Sequence, residues 1–180
     1  MNQNKWYAIA GGPSSGKTTL VNELAKIGFK IYPEAVRILL ERELAQGKKL
    51  KDVQGTVDLQ KEIYKLQLEM ENAAPKDEVV FFDRGLPEGI AYCRFYGLDI
   101  AEYSEKNRQI FEDRYCKVFF CQQLPFDKDR ARVEDEIAAQ KLSRLIRAAY
   151  AELGYEIIDL PPGPTPANRV KIILFTISKN

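Results

Sequence analysis

Short apolar runs alternate with longer amphipathic stretches along the chain. The runs WYAIA, FKIY, VVFFD, KVFFC and YEIID are rich in β-branched and aromatic residues, as buried strands are. Helical periodicity fills the stretches between them, and strands that alternate with helices form a mainly parallel sheet covered on both faces. We therefore predict an α/β fold of three layers, in which these five strands form one sheet between two layers of helices.

Glycine and proline residues bound the predicted helices. The third helix has the clearest pattern, because apolar residues at a spacing of four and three predict one stripe that packs on the sheet. The residues of this stripe are Leu59, Ile63, Leu66, Met70 and Ala73. The predicted helices cover about 17–26, 34–47, 52–74, 134–153 and 167–179, with one or two shorter helices before residue 114.

The composition is that of an ordinary globular protein. The chain has 180 residues, of which 45% are hydrophobic, and we expect a single domain over residues 1–180. Lysine and arginine (27) nearly balance aspartate and glutamate (26), so no overall field favours nucleic acid as a partner. The apolar runs are too short to cross a bilayer, and we expect no membrane span and no signal peptide.

Two residue types limit the chemistry. Histidine is absent, which excludes triads built on imidazole and the usual zinc sites and leaves general base chemistry to carboxylates. The cysteines Cys93, Cys116 and Cys121 have no C-x-x-C spacing, so neither a disulfide framework nor a thiolate metal site is expected. A reducing compartment fits this cysteine usage, and we expect a cytoplasmic protein.

The stretch GGPSSGKTT lies between the first predicted strand and the first predicted helix. It satisfies the pattern G-x-x-x-x-G-K-[ST] in the context where backbone amides and a helix amino terminus converge on phosphate groups. Lys17 is then expected to reach β- and γ-phosphate oxygens, and Thr18 to ligate Mg²⁺. An ordinary glycine-rich turn is the alternative. The predicted cofactor-binding residues, for ATP or possible GTP, are Gly11, Gly12, Pro13, Ser14, Ser15, Gly16, Lys17, Thr18 and Thr19.

Two acidic residues follow strands whose carboxyl ends are expected to open onto the same crevice as this loop. Asp83 ends VVFFD and is predicted to hold Mg²⁺ or to orient an acceptor, while the adjacent Arg84 offsets charge on the transferring group. Glu34 follows FKIYP and is predicted to accept a proton from an acceptor hydroxyl. The alternatives are a strand-end turn residue for Asp83 and a first-turn glutamate that stabilises its helix for Glu34.

A polar segment near 125–136, after the strand KVFFC, has the position of a lid. Its basic residues Lys128, Arg130 and Arg132 lie among acids, and arginines there are predicted to close over the triphosphate and stabilise the transition state. Arg132 is the first choice for this role and Arg130 the second. A solvated helix start with ion pairs is the alternative.

Four motifs together carry a family resemblance. GGPSSGKTTL, YPEAVR, FFDRG and RVEDE resemble the small P-loop domains of the ribosylnicotinamide kinase-like group, often labelled AAA-type ATPases. The layout is also similar to that of deoxyribonucleoside and thymidylate kinases, over nearly the whole chain. This resemblance implies a catalytic base at Glu34, an acidic-Arg pair at Asp83 and Arg84, and a residue that reads the acceptor at Gln60.

The chain also departs from the deoxyribonucleoside kinases. Gly85 follows Arg84 where those enzymes commonly carry serine, and the predicted lid lacks their regular arginine spacing. For Gln60, the alternative is an ordinary polar helix residue that faces solvent. Tyr92, Phe95 and Tyr96 have helical spacing, which favours core packing over a stacking platform for a base.

These residues predict a Mg²⁺-dependent phosphotransferase that moves the γ-phosphoryl group of ATP to a small hydroxyl-bearing, nucleoside-like acceptor. The alternative function is an ATPase- or GTPase-type switch with water as its acceptor. A binding protein without turnover is a third, weaker alternative. A cavity lined by Glu34, Asp83 and Gln60 beside the γ-phosphate position would favour the transferase.

Overall fold

The computed structural model describes residues 4–45, 47, 55–124, 136–163 and 165–179, and we number the described elements in chain order. The strands are β1 (Trp6–Ala10), β2 (Lys30–Tyr32), β3 (Val80–Asp83), β4 (Lys117–Cys121) and β5 (Ile157–Leu160). The helices are α1 (Lys17–Lys26), α2 (Ala35–Ala45), α3 (Val57–Ala73), α4 (Glu88–Tyr96), α5 (Glu136–Glu152) and α6 (Ala167–Ile177). Two short 3₁₀ helices, Ala101–Tyr103 and Glu105–Ile110, follow α4.

The strands form one parallel sheet in the order β2-β3-β1-β4-β5, which confirms the predicted fold class. From β1 the chain passes to one edge of the sheet, returns through β3, and then builds β4 and β5 on the other side. The carboxyl end of β1 is therefore flanked by the carboxyl ends of β3 and β4. Ligands of open α/β sheets bind at such a point.

The apolar strand residues alternate between the two faces of the sheet, since successive side chains of a strand point to opposite sides. On one face Ala8, Phe82 and Phe120 pack against Leu142 and Ile146 of α5. The opposite face packs on α1 and α6; its buried residues include Ile9, Phe81, Phe119, Leu20, Leu24 and Ile173. Burial of both faces explains why the strands are nearly continuous apolar runs.

Helix α3 does not pack as its apolar stripe predicts. Its buried residues are Leu59, Gln60, Tyr64, Gln67 and Glu71, while Ile63, Leu66 and Met70 are only partly buried and Ala73 is exposed. Leu59 is thus the one residue of the predicted stripe that is buried, and the predicted stripe is not the buried face of the helix. The buried face is rotated toward polar side chains because those side chains find hydrogen-bond partners on other elements.

The other helices follow their predictions closely. Helix α1 has the predicted bounds, and the bounds of α5 and α6 differ from the predicted ones by two residues at most. Helix α3 begins at Val57 with the Thr56 side chain accepting from the backbone N–H of Leu59, whereas the predicted start lies outside the described residues. Within the described part of the chain, no helix has the length and apolar character that a bilayer crossing needs.

Candidate active site

The loop between β1 and α1 has the backbone of a phosphate-binding loop. Gly11, Ser14 and Gly16 have φ angles of 141°, 63° and 82°. A Cβ atom on Gly11 would lie 2.6 Å from the carbonyl oxygen of Cys121, so only glycine fits between this loop and β4. The loop thus leads directly into the amino terminus of α1, where free N–H groups and the helix dipole attract an anion.

Lys17 is held inside this loop. Its Nζ donates to the carbonyl oxygens of Gly11 and Gly12 at 2.6 and 2.8 Å, and to Ser15 Oγ at 3.3 Å. Burial lowers the pKa of Lys17, and the nearby Arg84 cation lowers it further. The hydrogen-bond acceptors of Lys17 are neutral oxygens, and a phosphate group in the loop would supply a charged acceptor.

Arg169 of α6 fixes the outside of the loop. It is 4% exposed, and its guanidinium donates to the carbonyl oxygens of Ser15, Gln122 and Pro161. The Gln123 side chain also donates to the Pro13 carbonyl oxygen at 2.6 Å. The loop is therefore attached to the ends of β4 and β5. Arg169 was not predicted, because it lies 154 residues from Ser15 and belongs to no local motif.

The two threonines after Lys17 differ in their surroundings. Thr18 Oγ1 accepts a hydrogen bond from Arg37 Nη2 of α2 at 3.4 Å, whereas Thr19 is exposed. Arg37 lies one helical turn beyond Glu34 and was not predicted. Its cation stands beside the hydroxyl that is predicted to ligate Mg²⁺.

Asp83 lies at the carboxyl end of β3, opposite Ile9 of β1. It is 5% exposed, and Oδ1 has no hydrogen-bond partner within the described ranges. Burial and the Glu34 carboxylate raise the pKa of Asp83, while the Lys17 cation acts in the opposite direction. An unpartnered carboxylate oxygen next to the phosphate loop fits a hydrated cation.

The residues fit Mg²⁺ bound mainly by phosphate and water oxygens. Among the described residues, no group of three or more histidine, cysteine, aspartate or glutamate side chains is arranged to hold a metal. Thr18 and Asp83 are the side chains that would hold the ion beside a bound triphosphate. When bound, Mg²⁺ neutralises phosphate charge.

Arg84 has a strained backbone and a paired side chain. Its φ angle is 73°, which costs a residue with a Cβ about 1–3 kcal/mol. Its Nε lies 2.6 Å from Glu34 Oε1, and Nη1 donates to the hydroxyl of Tyr92. The Glu34 carboxylate raises the pKa of Arg84 against the opposing effect of burial. The predicted base and the predicted arginine therefore lie in direct contact.

A buried network supports the loop at residues 84–86. Glu71 is fully buried and accepts from Gln67 at 2.8 Å and from the Tyr115 hydroxyl at 2.6 Å. Glu71 and the Tyr115 hydroxyl both accept from the backbone N–H of Leu86. We call Gln67, Glu71, Arg114, Tyr115 and Tyr150 the support network. It holds the strained conformation of Arg84 in place.

The support network also explains Gly85. A Cβ atom on Gly85 would lie 2.6 Å from the Tyr115 hydroxyl and 2.7 Å from the Tyr150 hydroxyl. The Tyr150 hydroxyl accepts from the backbone N–H of Gly85 at 3.1 Å. The two tyrosines thus occupy the space that a side chain at Gly85 needs, which gives a physical reason for the departure from serine at this position.

A cavity of about 290 Å³ opens beside the phosphate loop, between α2, α3 and α4. Glu34 and Gln60 line it as predicted, but Asp83 is not among its lining residues. Gln60 is 3% exposed, so the alternative of a solvated position is wrong. We call this the central cavity; its other lining residues include Pro13, Leu40, Leu59, Ile63, Gln67, Arg84, Glu88, Tyr92, Tyr96 and Tyr103.

The aromatic residues of α4 have two uses. Tyr92 and Tyr96 line the central cavity, whereas Tyr92 and Phe95 also pack against the apolar core. Core packing is therefore confirmed for Phe95 and describes only part of the surroundings of Tyr92. The cavity wall presents tyrosine rings and amide side chains together.

Glu88, the first residue of α4, is a cavity residue that sequence analysis missed. It is 2% exposed, and neither carboxyl oxygen has a hydrogen-bond partner in the described part of the chain. Burial raises the pKa of Glu88 to about 8. No sequence signal distinguishes it, because a glutamate in the first turn of a helix is usually a solvated residue that stabilises the helix.

The predicted lid is the part of the site on which the structure has no bearing. Lys128, Arg130 and Arg132 lie outside the described residues. Their roles stay predictions.

A family model described as an AAA domain, AAA_28, matches residues 6–168. The chain belongs to this AAA domain family. No curated protein matches the chain.

Several solved structures share this fold, and kinases are among them. The NadR protein in complex with NR has 19% identity and a TM-score of 0.74 over 99% of this chain and 52% of its own. This AAA domain thus spans about half the length of that protein. Thymidylate kinase from Ehrlichia chaffeensis has 15% identity and a TM-score of 0.65, with 96% of this chain and 97% of its own covered.

Deoxyadenosine kinase from M. mycoides with bound dATP has 19% identity and a TM-score of 0.60, with 96% of this chain and 99% of its own covered. At these identities the similarity shows a shared fold only. The ligands and substrates named are those of the neighbouring proteins. The AAA domain described here shares its fold with these kinases, as the resemblance stated from its motifs implies.

Proposed function

We propose that this AAA domain is a Mg²⁺-dependent phosphotransferase that moves the γ-phosphoryl group of ATP to a hydroxyl of a small, nucleoside-like acceptor. The observation that carries the proposal is the central cavity, which lies beside the phosphate loop and is lined by Glu34 and Arg84. A protein that uses water as its acceptor needs no cavity of this size. The cavity therefore favours transfer to an organic molecule over a hydrolytic switch.

The phosphate loop is assigned to the nucleotide. Lys17 and the N–H groups that precede α1 bind the phosphates, and GTP is an alternative donor because the loop contacts only phosphate groups. Lys17 already makes hydrogen bonds within the loop, so it moves only from carbonyl oxygens to phosphate oxygens. Thr18 and Asp83 are assigned to the Mg²⁺ ion.

Glu34 is assigned the role of general base. As the acceptor oxygen bonds to the γ-phosphorus, its proton passes to the Glu34 carboxylate, and the bond between the γ-phosphorus and the bridging oxygen breaks to release ADP. Arg84 contacts Glu34 at 2.6 Å, which restrains the carboxylate at the cavity wall. Arg84 also provides positive charge next to the transferring group. Lid residues Arg130 and Arg132 are assigned to closure over the triphosphate.

The walls of the central cavity support a nucleoside-like acceptor. Gln60 and Gln67 offer amide groups that can both donate and accept, and Tyr92 and Tyr96 offer ring faces for a planar group. A volume of about 290 Å³ is suited to a small ligand. One structural neighbour is a deoxyadenosine kinase, whose name states a nucleoside acceptor.

The test is phosphoryl transfer from radiolabelled ATP with Mg²⁺ to a panel of nucleosides. We expect slow phosphate release from ATP alone and a phosphorylated product when a suitable nucleoside is present. Lys17→Ala should abolish the product, whereas Lys26→Ala, an exposed change on the same helix, should not alter its yield. Steady hydrolysis that no compound of the panel diverts would favour the switch and contradict the proposal.

A further inference from the structure

Glu88 is a buried carboxyl group that neither the fold nor the proposed transfer uses. It lines the central cavity and is 2% exposed. Both of its carboxyl oxygens lack a hydrogen-bond partner among the residues that the structure describes. An unsatisfied buried polar group costs about 1–3 kcal/mol, so such groups are rare unless a ligand or a functional role satisfies them.

The nearest cation does not satisfy Glu88. Arg84 Nη1 lies 3.8 Å from Glu88 Oε2, which is beyond hydrogen-bond distance. Nη1 donates instead to the hydroxyl of Tyr92, and Nε forms an ion pair with Glu34. Glu88 is therefore left facing the cavity with both oxygens available.

The charges around Glu88 restrict what it can bind. The groups that act on it are Arg84, Lys17, Glu34 and Asp83, and Tyr150 lies close enough for Glu88 to affect its pKa. Two cations nearby disfavour a cationic partner, and two carboxylates disfavour an anionic one. A neutral group with hydrogen-bonding capacity remains.

A hydroxyl group matches these surroundings. Burial raises the pKa of Glu88 to about 8, so near neutral pH the carboxyl is largely protonated and both donates and accepts hydrogen bonds. A hydroxyl offers one donor and two acceptor lone pairs, which complement such a carboxyl. Glu34 and Glu88 approach different nitrogens of the Arg84 guanidinium, Nε and Nη1. Glu34 is already assigned to the hydroxyl that is phosphorylated, so we assign Glu88 to another one.

We propose that Glu88 binds a second hydroxyl group of the acceptor, and hence that the acceptor is a molecule with at least two hydroxyls. This inference rests on the proposed function, because it concerns the acceptor of that same site. Glu34 receives the proton of the reacting hydroxyl, and Glu88 selects the acceptor through the other. Glu88 is a specificity-determining residue in this scheme.

The test compares the four common ribonucleosides with their 2′-deoxy and 3′-deoxy analogues. We expect the wild-type protein to prefer a ribonucleoside over one of its deoxy analogues by about 10- to 100-fold in kcat/KM, mainly through KM. Glu88→Ala should remove this preference, and Glu88→Gln, which keeps hydrogen bonding, should retain part of it. Glu62→Ala, an exposed change on α3, serves as the control and should retain all of it.

Calorimetric binding of the same compounds, with a non-hydrolysable ATP analogue present, separates this inference from the proposed function. Transfer with the same ribose preference in wild-type and Glu88→Ala protein overturns the inference and leaves the proposed function standing. Binding that depends on a second hydroxyl and on Glu88, without transfer, supports the inference and contradicts the proposed function. Absence of binding by every compound overturns the inference. Thermal unfolding confirms that each variant is folded.

Discussion

Glu71 and Glu88 are two buried carboxyl groups that flank the same loop at residues 84–86, and their surroundings are opposite. Glu71 has no exposed surface and accepts hydrogen bonds from Gln67, Tyr115 and the backbone of Leu86, with Arg114 as its ion-pair partner. Glu88 is 2% exposed, but its carboxyl group has no hydrogen bond to a described residue. One carboxylate belongs to the support network, and the other belongs to the central cavity.

The difference separates a structural carboxylate from one available to a ligand. A buried carboxylate with every oxygen satisfied can hold neighbouring backbone in a fixed conformation, here the strained Arg84. A buried carboxyl group without hydrogen bonds destabilises the free protein and gains them only when a ligand binds. The predictions that follow test this division, from the largest expected effect to the smallest.

Removal of the Glu71 carboxylate should have the largest effect on stability. Glu71→Ala is expected to lower the free energy of unfolding by about 3–5 kcal/mol, because Arg114 and the Tyr115 hydroxyl lose their buried acceptor. Urea unfolding monitored by circular dichroism measures the change. Glu88→Ala is the matched comparison and should lose less than about 1 kcal/mol, since no hydrogen bond is broken. Equal losses in the two variants would contradict the division.

On the cavity side, the largest expected effect is on the rate of transfer. Glu34→Gln should lower kcat by roughly a hundredfold or more, equivalent to about 2.7 kcal/mol, and leave ATP affinity nearly unchanged. The reason is that an amide keeps the contact with Arg84 but cannot accept the proton. Glu41→Gln, an exposed change on the helix α2 that follows Glu34, should have no effect. Activity that survives Glu34→Gln shows that the base assignment is wrong.

The close approach of the two tyrosines to Gly85 predicts a moderate loss of stability. Gly85→Ala should lower the free energy of unfolding by about 1–3 kcal/mol, because its Cβ would overlap the hydroxyls of Tyr115 and Tyr150. Chemical denaturation provides the measurement. Gly163→Ala is a suitable control, as a Cβ there meets its nearest atom at 3.7 Å and should change stability by less than about 0.5 kcal/mol. If Gly85→Ala leaves the free energy of unfolding unchanged, the side chains of the support network move aside at little cost.

Glu88 also predicts a dependence of stability on pH. Its pKa is raised to about 8 in the folded protein, so between its ordinary value and pH 8 the folded state binds more protons than the unfolded state. The free energy of unfolding should therefore fall as pH rises, by about 1 kcal/mol between pH 6 and 7 relative to Glu88→Gln.

Unfolding curves of wild-type and Glu88→Gln protein at several pH values measure this difference directly. The raised pKa of Asp83 acts in the same direction, but it is common to both proteins and cancels in the comparison. If the free energies of unfolding of the two proteins change with pH in the same way, then Glu88 is ionised at neutral pH and its environment is less apolar than its burial implies.

Much of the fold and part of the site were predictable because their signals are local. The strand runs and the glycine-rich loop are contiguous in sequence, and the strand ends placed Asp83 and Glu34 on the correct edge of the sheet. Helix α3 was predicted wrongly on its buried face. Its apolar stripe gave no indication that Gln67 and Glu71 would be buried, since their partners Arg84 and Tyr115 come from distant parts of the chain.

The sequence alone determined the parallel α/β architecture, the phosphate loop and the acidic residues that follow β2 and β3, because each depends on neighbours along the chain. Only the tertiary structure decided which carboxyl groups are satisfied and which are left facing a cavity. That distinction depends on donors separated by tens of residues, as with Tyr115 and Glu71, which are 44 residues apart. Burial of a carboxyl group without hydrogen-bond partners, as at Glu88, is a property of tertiary packing that no local sequence pattern encodes.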